Sequence, residues 1–109
     1  MTIGVYTFEI HLPSARSLKD KRQVVRRLKD RLRAHHNLAV AELEEHADLW
    51  QRAGLAIVSV ATRREPLEHL FAAVLREAES EVPGSVIETG TDYIEGSDGG
   101  ASGWEGDWS

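Results

Sequence analysis

The sequence predicts an α+β domain with four strands and two helices in the order β-α-β-β-α-β. Apolar residues alternate with a period of two in the predicted strands and recur with helical spacing in two longer stretches. Prolines and glycines separate several of these stretches. The chain has 109 residues, of which 41% are hydrophobic, so it is long enough for one such domain and too short for two.

The first half of the chain supplies a strand and a long helix. Residues 3–12 alternate as a strand whose buried face carries Tyr6, Phe8, Ile10 and Leu12. Pro13 ends this strand, and Ser17, three residues before Asp20, indicates a helix start that resembles a capping box. The helix is predicted over residues 18–36, with an apolar face formed by Leu18, Val25, Leu28 and Leu32.

The second half repeats the alternation of strand and helix. Residues 38–45 predict a second strand, and residues 55–62, after Gly54, predict a third that is largely buried. Pro66 suits the first turn of a second helix, whose apolar stripe runs over residues 67–78. Residues 85–94 predict the last strand, in which Gly90 indicates a bulge or bend.

This element order predicts a ferredoxin-like sandwich over residues 1–94. Right-handed crossovers give a four-stranded antiparallel sheet with both helices on one face. Residues 95–109 contain five glycines, three serines and four acids without aliphatic periodicity, which predicts a flexible acidic tail.

Two stretches, LPSARSLKDKRQVVRRLKDRLR and AVAELEEHADLWQRAGLAIVSVAT, resemble the YlxP-like family, a bacterial family of unknown function. Their SLKDKR and DLWQRA segments are the most specific part of a match that covers residues 3–94. The resemblance implies a ferredoxin-like fold. It also implies a ribosome-linked role by association, because genes of the family often lie beside those for ribosome-binding factor A and translation initiation factors. The tail is not part of the shared pattern.

Composition excludes several function classes. The chain has no cysteine, so it forms no disulfide, cysteine-based metal site or thiol nucleophile. It has no long apolar run and begins in a strand pattern, so we expect neither a membrane helix nor a signal peptide, and a cytoplasmic protein. The five histidines lack metal-ligand spacing, and no nucleophile pairs with a base, so we expect no metal, no cofactor and no enzymatic activity.

The formal net charge of −5 conceals strong polarisation along the chain. Residues 16–33 hold nine bases and two acids, a net charge of +7. The tail carries −4, and the remaining residues, with four arginines and twelve acids, carry −8. The molecule therefore combines one strongly basic segment with an acidic frame.

The basic segment is the main candidate binding site. The start of its helix carries basic residues, although the helix dipole favours acidic residues there. These bases lie beside hydroxyl donors, and the combination suits an anion such as phosphate. A basic stripe, defined as Lys19, Arg22, Arg26, Lys29 and Arg33, continues down one side of the helix and suits structured RNA such as ribosomal RNA. The alternative is a solvated surface. The complete set of anion or RNA candidates is Ser14, Arg16, Ser17, Lys19, Lys21, Arg22, Arg26, Lys29 and Arg33.

Lys21 differs from the other bases because helical geometry puts it at the centre of the apolar face. A buried lysine needs a partner, and Glu42 on the second strand is the expected one. A structural ion pair is the favoured interpretation, with a catalytic role as the alternative.

The open sheet face and the loop after the second strand provide candidate interfaces. Thr7, Glu9 and His11 share the helix-free face, and Trp50 either closes one end of the core or forms a dimer contact. These residues favour a second hypothesis, a homodimer that binds a small anion or a protein partner. A third, an acylphosphatase-like hydrolase, is disfavoured because the first loop lacks a glycine-rich phosphate cradle. For Trp104 and Trp108 in the acidic tail two alternatives stay open, an inert tail or a tail that lies on the basic stripe.

Overall fold

The computed structural model describes residues 1–96 and contains the six predicted elements in the predicted order. The strands are β1 (Thr2–His11), β2 (Ala39–Leu43), β3 (Arg52–Ala61) and β4 (Ser85–Glu95), and the helices are α1 (Leu18–His35) and α2 (Glu65–Glu81). A short 3-10 turn over Glu44–His46 follows β2. The four strands form one antiparallel sheet in the order β2-β3-β1-β4, as a ferredoxin-like fold requires.

The core lies between the sheet and the two helices. The β1 residues Tyr6, Phe8 and Ile10 are at most 1% exposed, which confirms the predicted buried parity. They pack with Leu55 and Ile57 of β3 and with the apolar faces of both helices. Tyr6 stacks on Phe71 of α2 with ring centroids 5.1 Å apart.

The predicted irregularity in β4 is a β-bulge. Thr7 of β1 pairs with Gly90, but Phe8 pairs with Glu88, so Thr89 is the extra residue. This confirms the bulge or bend that was predicted at Gly90. β4 also extends one residue beyond the predicted domain boundary, to Glu95, and the next backbone amide, of Gly96, donates to the Met1 carbonyl at 2.9 Å. The rest of the predicted tail, with Trp104 and Trp108, lies outside the described residues.

β3 differs from its prediction as a largely buried strand. Ala53, Leu55 and Ile57 face the helices and are fully buried, but Val58 and Val60 on the opposite face are 39% and 51% exposed. The reason is that both helices cover the same side of the sheet. Within residues 1–96, no helix is long and apolar enough to cross a membrane.

Candidate functional site

The start of α1 forms a variant of the capping box, in which the returning bond of Asp20 goes to the amide before the N-cap Ser17. The Ser17 hydroxyl accepts a hydrogen bond from the Asp20 amide at 3.1 Å, and the Asp20 carboxylate accepts one from the Arg16 amide at 3.0 Å. The chain's own acid therefore stands at the positive end of the helix, where an external anion was expected. Ser14 lines a separate depression with Asp20 and Pro83, so the structure does not group it with the basic stripe.

Lys21 is buried, with only 2% of its surface exposed. Its ammonium donates to the carbonyl oxygens of His46 at 3.0 Å, Ala47 at 3.2 Å and Arg52 at 3.4 Å. The Glu42 carboxylate lies further away, at 3.8 Å. Because two of these carbonyls lie within the loop between β2 and β3 and the third belongs to the first residue of β3, Lys21 clamps this loop against α1. Its three protons are engaged internally, so we leave Lys21 out of the external binding surface.

The basic stripe lines a groove between α1 and the edge strand β2. Arg22, Arg26, Lys29 and Arg33 meet Val25, Asp30 and Glu42 around this groove, whose volume is about 400 Å³. Arg33 contacts the Asp30 carboxylate at 3.6 Å and the Val40 carbonyl at 3.4 Å. Across the described part of the chain, no carboxylate lies within 4 Å of the charged groups of Lys19, Arg22, Arg26 and Lys29.

On the opposite side of α1, Arg31 is neutralised by carboxylates of α2. Arg31 lies 3.3 Å from the Glu77 carboxylate and 3.2 Å from that of Glu81. The same Glu77 carboxylate also binds the rings of His35 at 2.6 Å and His36 at 2.9 Å. Burial alone would raise the pKa of Glu77, but the hydrogen bonds and charges of the two histidines outweigh it and lower that pKa.

The open sheet face has a polar end organised around Glu9. One Glu9 oxygen accepts hydrogen bonds from Arg52, at 2.7 and 3.1 Å, and lies 3.0 Å from the His11 ring. The other oxygen lies 3.4 Å from His46. Hydrogen bonding to Arg52 lowers the pKa of Glu9, against the opposing effect of burial, and His11 adds to the lowering. Arg52 is therefore paired within the chain at this end of the sheet.

Sequence reasoning missed His46, Arg52 and Glu77. The first two join Glu9 only because β1 and β3 pair with His11 opposite Arg52 and because the 3-10 turn brings His46 over the sheet. Glu77 stands on the side of α2 that meets the end of α1. A strand register derived from sequence could have found Arg52, whereas no local pattern identifies His46 or Glu77.

The remaining interface candidates lie apart from one another. Thr7 accepts a hydrogen bond from the bulge residue Thr89 at 2.9 Å, on the open sheet face. Trp50 is 50% exposed in the loop between β2 and β3 and lines a surface groove there. Trp50 therefore does not close one end of the core, which was one of the two roles that the sequence predicted for it. Among residues 1–96, no group of three or more potential metal ligands comes together.

The comparisons identify the family. Residues 3–91 match the family described as a protein of unknown function, DUF503. The chain belongs to this family. Over 73 residues it is 33% identical to the uncharacterised protein YlxP of Bacillus subtilis, a match that covers 67% of this chain and 78% of that relative. This confirms the YlxP-like resemblance seen in the sequence.

Comparison with solved structures confirms the fold. A de novo designed protein with a ferredoxin fold superposes with a TM-score of 0.52 at 15% identity, covering 82% of this chain and 83% of the design. An amidase of the hydantoinase/carbamoylase family from Burkholderia phymatum gives a TM-score of 0.48 at 13% identity, over 89% of this chain and 31% of the amidase. At 15% identity, the match to the design concerns architecture only.

Proposed function

We propose that this DUF503 protein binds structured RNA, ribosomal RNA being the leading candidate, through the basic stripe of α1, and that it does so without catalysing a reaction. The observation that carries the proposal is a difference in ion pairing between Arg31 and the cations of the basic stripe. Arg31, which faces α2, contacts two carboxylates. Lys19, Arg22, Arg26 and Lys29 contact none within 4 Å in the described part of the chain.

The stripe has dimensions that suit a nucleic-acid backbone. From Lys19 to Arg33 it extends over about 21 Å at 1.5 Å per residue, which is long enough to meet several phosphates. The residues that line the groove beside it include no aromatic side chain. We therefore expect this stripe to recognise RNA through its phosphates and its shape, and not through base stacking.

The rival idea, a small anionic ligand on the open sheet face, receives less support from the contacts. The guanidinium of Arg52 stands at the polar end of that face, but Glu9 already binds it through two hydrogen bonds. A small anion would have to displace a carboxylate from this site. In the groove beside α1, Asp30 contacts Arg33, but within residues 1–96 no carboxylate lies within 4 Å of the charged groups of Arg22, Arg26 and Lys29.

The test is binding to purified ribosomal subunits and to a structured RNA at graded salt. We compare the wild-type chain with the triple variant Arg22→Glu, Arg26→Glu, Lys29→Glu. If about four phosphates are neutralised, wild-type affinity should fall about 50- to 150-fold between 50 and 200 mM salt. The triple variant should lose binding at every salt concentration.

A control with the same change in net charge separates the position of the charges from their total. It reverses three exposed arginines outside the stripe, Arg63, Arg64 and Arg76. We expect this control to retain most of the affinity at 100 mM salt. No wild-type association at low salt, or equal losses in both triple variants, would contradict the proposal.

A further inference from the structure

Strand β3 is apolar on both of its faces, although the fold covers only one. Its helix-facing side carries Ala53, Leu55 and Ile57, and its open side carries Gly54, Ala56, Val58 and Val60. Antiparallel sheets with one solvated face ordinarily alternate apolar and polar residues. A strand that is apolar on both sides is typical of one that is covered on both sides.

The apolar residues continue across neighbouring strands and form one surface. The pairing registers put Val60 opposite Ile3, Ile3 opposite Ile94, and Val58 opposite both Val5 and Ala39. We call these six residues and Ala56 the apolar sheet surface: Ile3, Val5, Ala39, Ala56, Val58, Val60 and Ile94. Val60 and Ile94 are more than half exposed.

The residues of this surface are neighbours on four adjacent strands, so they form one contiguous apolar area. A depression of about 640 Å³ lies at one end of it and is lined by four of its residues, Ile3, Ala39, Val58 and Val60, together with Met1 and Leu38. Contiguous apolar areas of this kind mark interaction sites in soluble proteins. Its shape is that of a sheet face with small side chains at Ala39 and Ala56, which allow close approach of another flat surface.

We propose that the apolar sheet surface is the interface of a homodimer in which two copies pack their sheets face to face. Stacked sheets lie about 10 Å apart, the distance that small and β-branched side chains fill. The four strands hold 10, 5, 10 and 11 residues, so at about 3.4 Å per residue and about 4.8 Å between strands the whole open face measures roughly 590 Å². Two such faces bury about 1,200 Å², which is at the lower end of the range of specific protein interfaces.

The distribution of charge on the face is compatible with self-association. Glu9, His11 and Arg52 lie together at the other end of the sheet, where they pair within the chain. A two-fold axis parallel to the strands brings like ends together, so apolar residues meet apolar residues. Asp92, opposite Val5, stands on the edge strand β4, at the margin where interfaces are polar.

This dimer does not depend on the proposed RNA binding. The helices lie on the other side of the sheet, so both basic stripes stay on the outside of the dimer. The two interactions also respond differently to salt, because screening weakens phosphate contacts and leaves apolar burial largely intact. Failure of one proposal is therefore distinguishable from failure of the other.

The test is sedimentation equilibrium of the full chain from about 1 to 200 μM, in low and high salt. We expect the mass to approach twice 12.1 kDa as concentration rises, with no loss in high salt. Val60→Glu and Val58→Lys should each weaken the dimer at least tenfold. Leu49→Glu is the matched control, because Leu49 is 45% exposed in the loop between β2 and β3, away from this surface, and its variant should dimerise normally.

Circular dichroism shows whether each variant is folded, and either of the two surface variants suffices for the test. A wild-type chain that is monomeric throughout the concentration range overturns the proposal. So does a monomeric chain that dimerises only when Trp104 and Trp108 are replaced by alanine, because the C-terminal segment would then be the occupant of the surface. Equal weakening by Leu49→Glu would also overturn it.

Discussion

Replacement of Lys21 by methionine tests whether this lysine is a structural clamp. Methionine retains the length and the apolar stem of the side chain but removes the ammonium. The carbonyl oxygens of His46, Ala47 and Arg52 then lose their shared donor, and Glu42 loses the cation 3.8 Å away. We therefore expect Lys21→Met to destabilise the fold.

The magnitude follows from the three contacts. A hydrogen bond from a charged group contributes about 1.5–3 kcal/mol net, and the bonds at 3.0 and 3.2 Å are the two stronger ones. Water partly replaces the lost donor, because Ala47 is exposed and His46 is only half-buried. The expected loss is about 2–4 kcal/mol in the free energy of unfolding. For a domain of this size it corresponds to a decrease in Tm of roughly 10–25 °C.

The assay is thermal and urea unfolding of the wild type, Lys21→Met and the control Lys19→Met. Lys19 lies in the same turn of α1 and is exposed, so its substitution should change stability by no more than about 0.5 kcal/mol. An unchanged Tm for Lys21→Met, together with lost ligand binding, would refute the clamp and favour a functional role for this lysine.

Two further predictions concern the ends of β1 and of the helices. Gly84→Ala should destabilise the fold by about 1–3 kcal/mol, because the added Cβ would overlap the His11 carbonyl oxygen; urea unfolding measures the loss, and a neutral variant would contradict this contact. Glu77→Gln should be less stable than wild type at neutral pH. Because His36 and His35 hold the pKa of Glu77 below its unfolded value, the difference should be full above about pH 4.5 and should shrink as the pH falls further. A difference that is independent of pH between 3 and 7 would contradict the ion cluster.

Most of the fold was predictable because its signals are local. The parity of Tyr6, Phe8 and Ile10 assigns the buried face of β1, and the capping box of Ser17 and Asp20 fixes the start of α1. Each depends on residues a few positions apart, so the sequence pattern contains the whole interaction. The order of the elements then leaves few topologies with right-handed crossovers.

The candidate site was predictable only where it follows one helix. The basic stripe is a property of α1 alone, and the structure puts four of its five cations around one groove. The cluster of Glu9, Arg52 and His46 joins residues 37 to 43 positions apart, which no periodicity reveals. Glu42 does lie near Lys21, as the sequence predicted, but backbone carbonyls of a loop form the closer contacts. The spacing of residues in a sequence does not specify the conformation of such a loop.

The two proposed surfaces follow from conflicts between local rules and the fold. Four cations of the basic stripe on helix α1 have no carboxylate within 4 Å in the described part of the chain. Arg31, on the same helix, contacts two carboxylates. Strand β3 carries Val58 and Val60 on a face that the helices leave open. Sequences that break such rules without compensation inside the fold do so most often at functional sites. A bound anion would resolve the first conflict and a second apolar surface would resolve the second, so the two proposals assign different partners to opposite sides of one sheet.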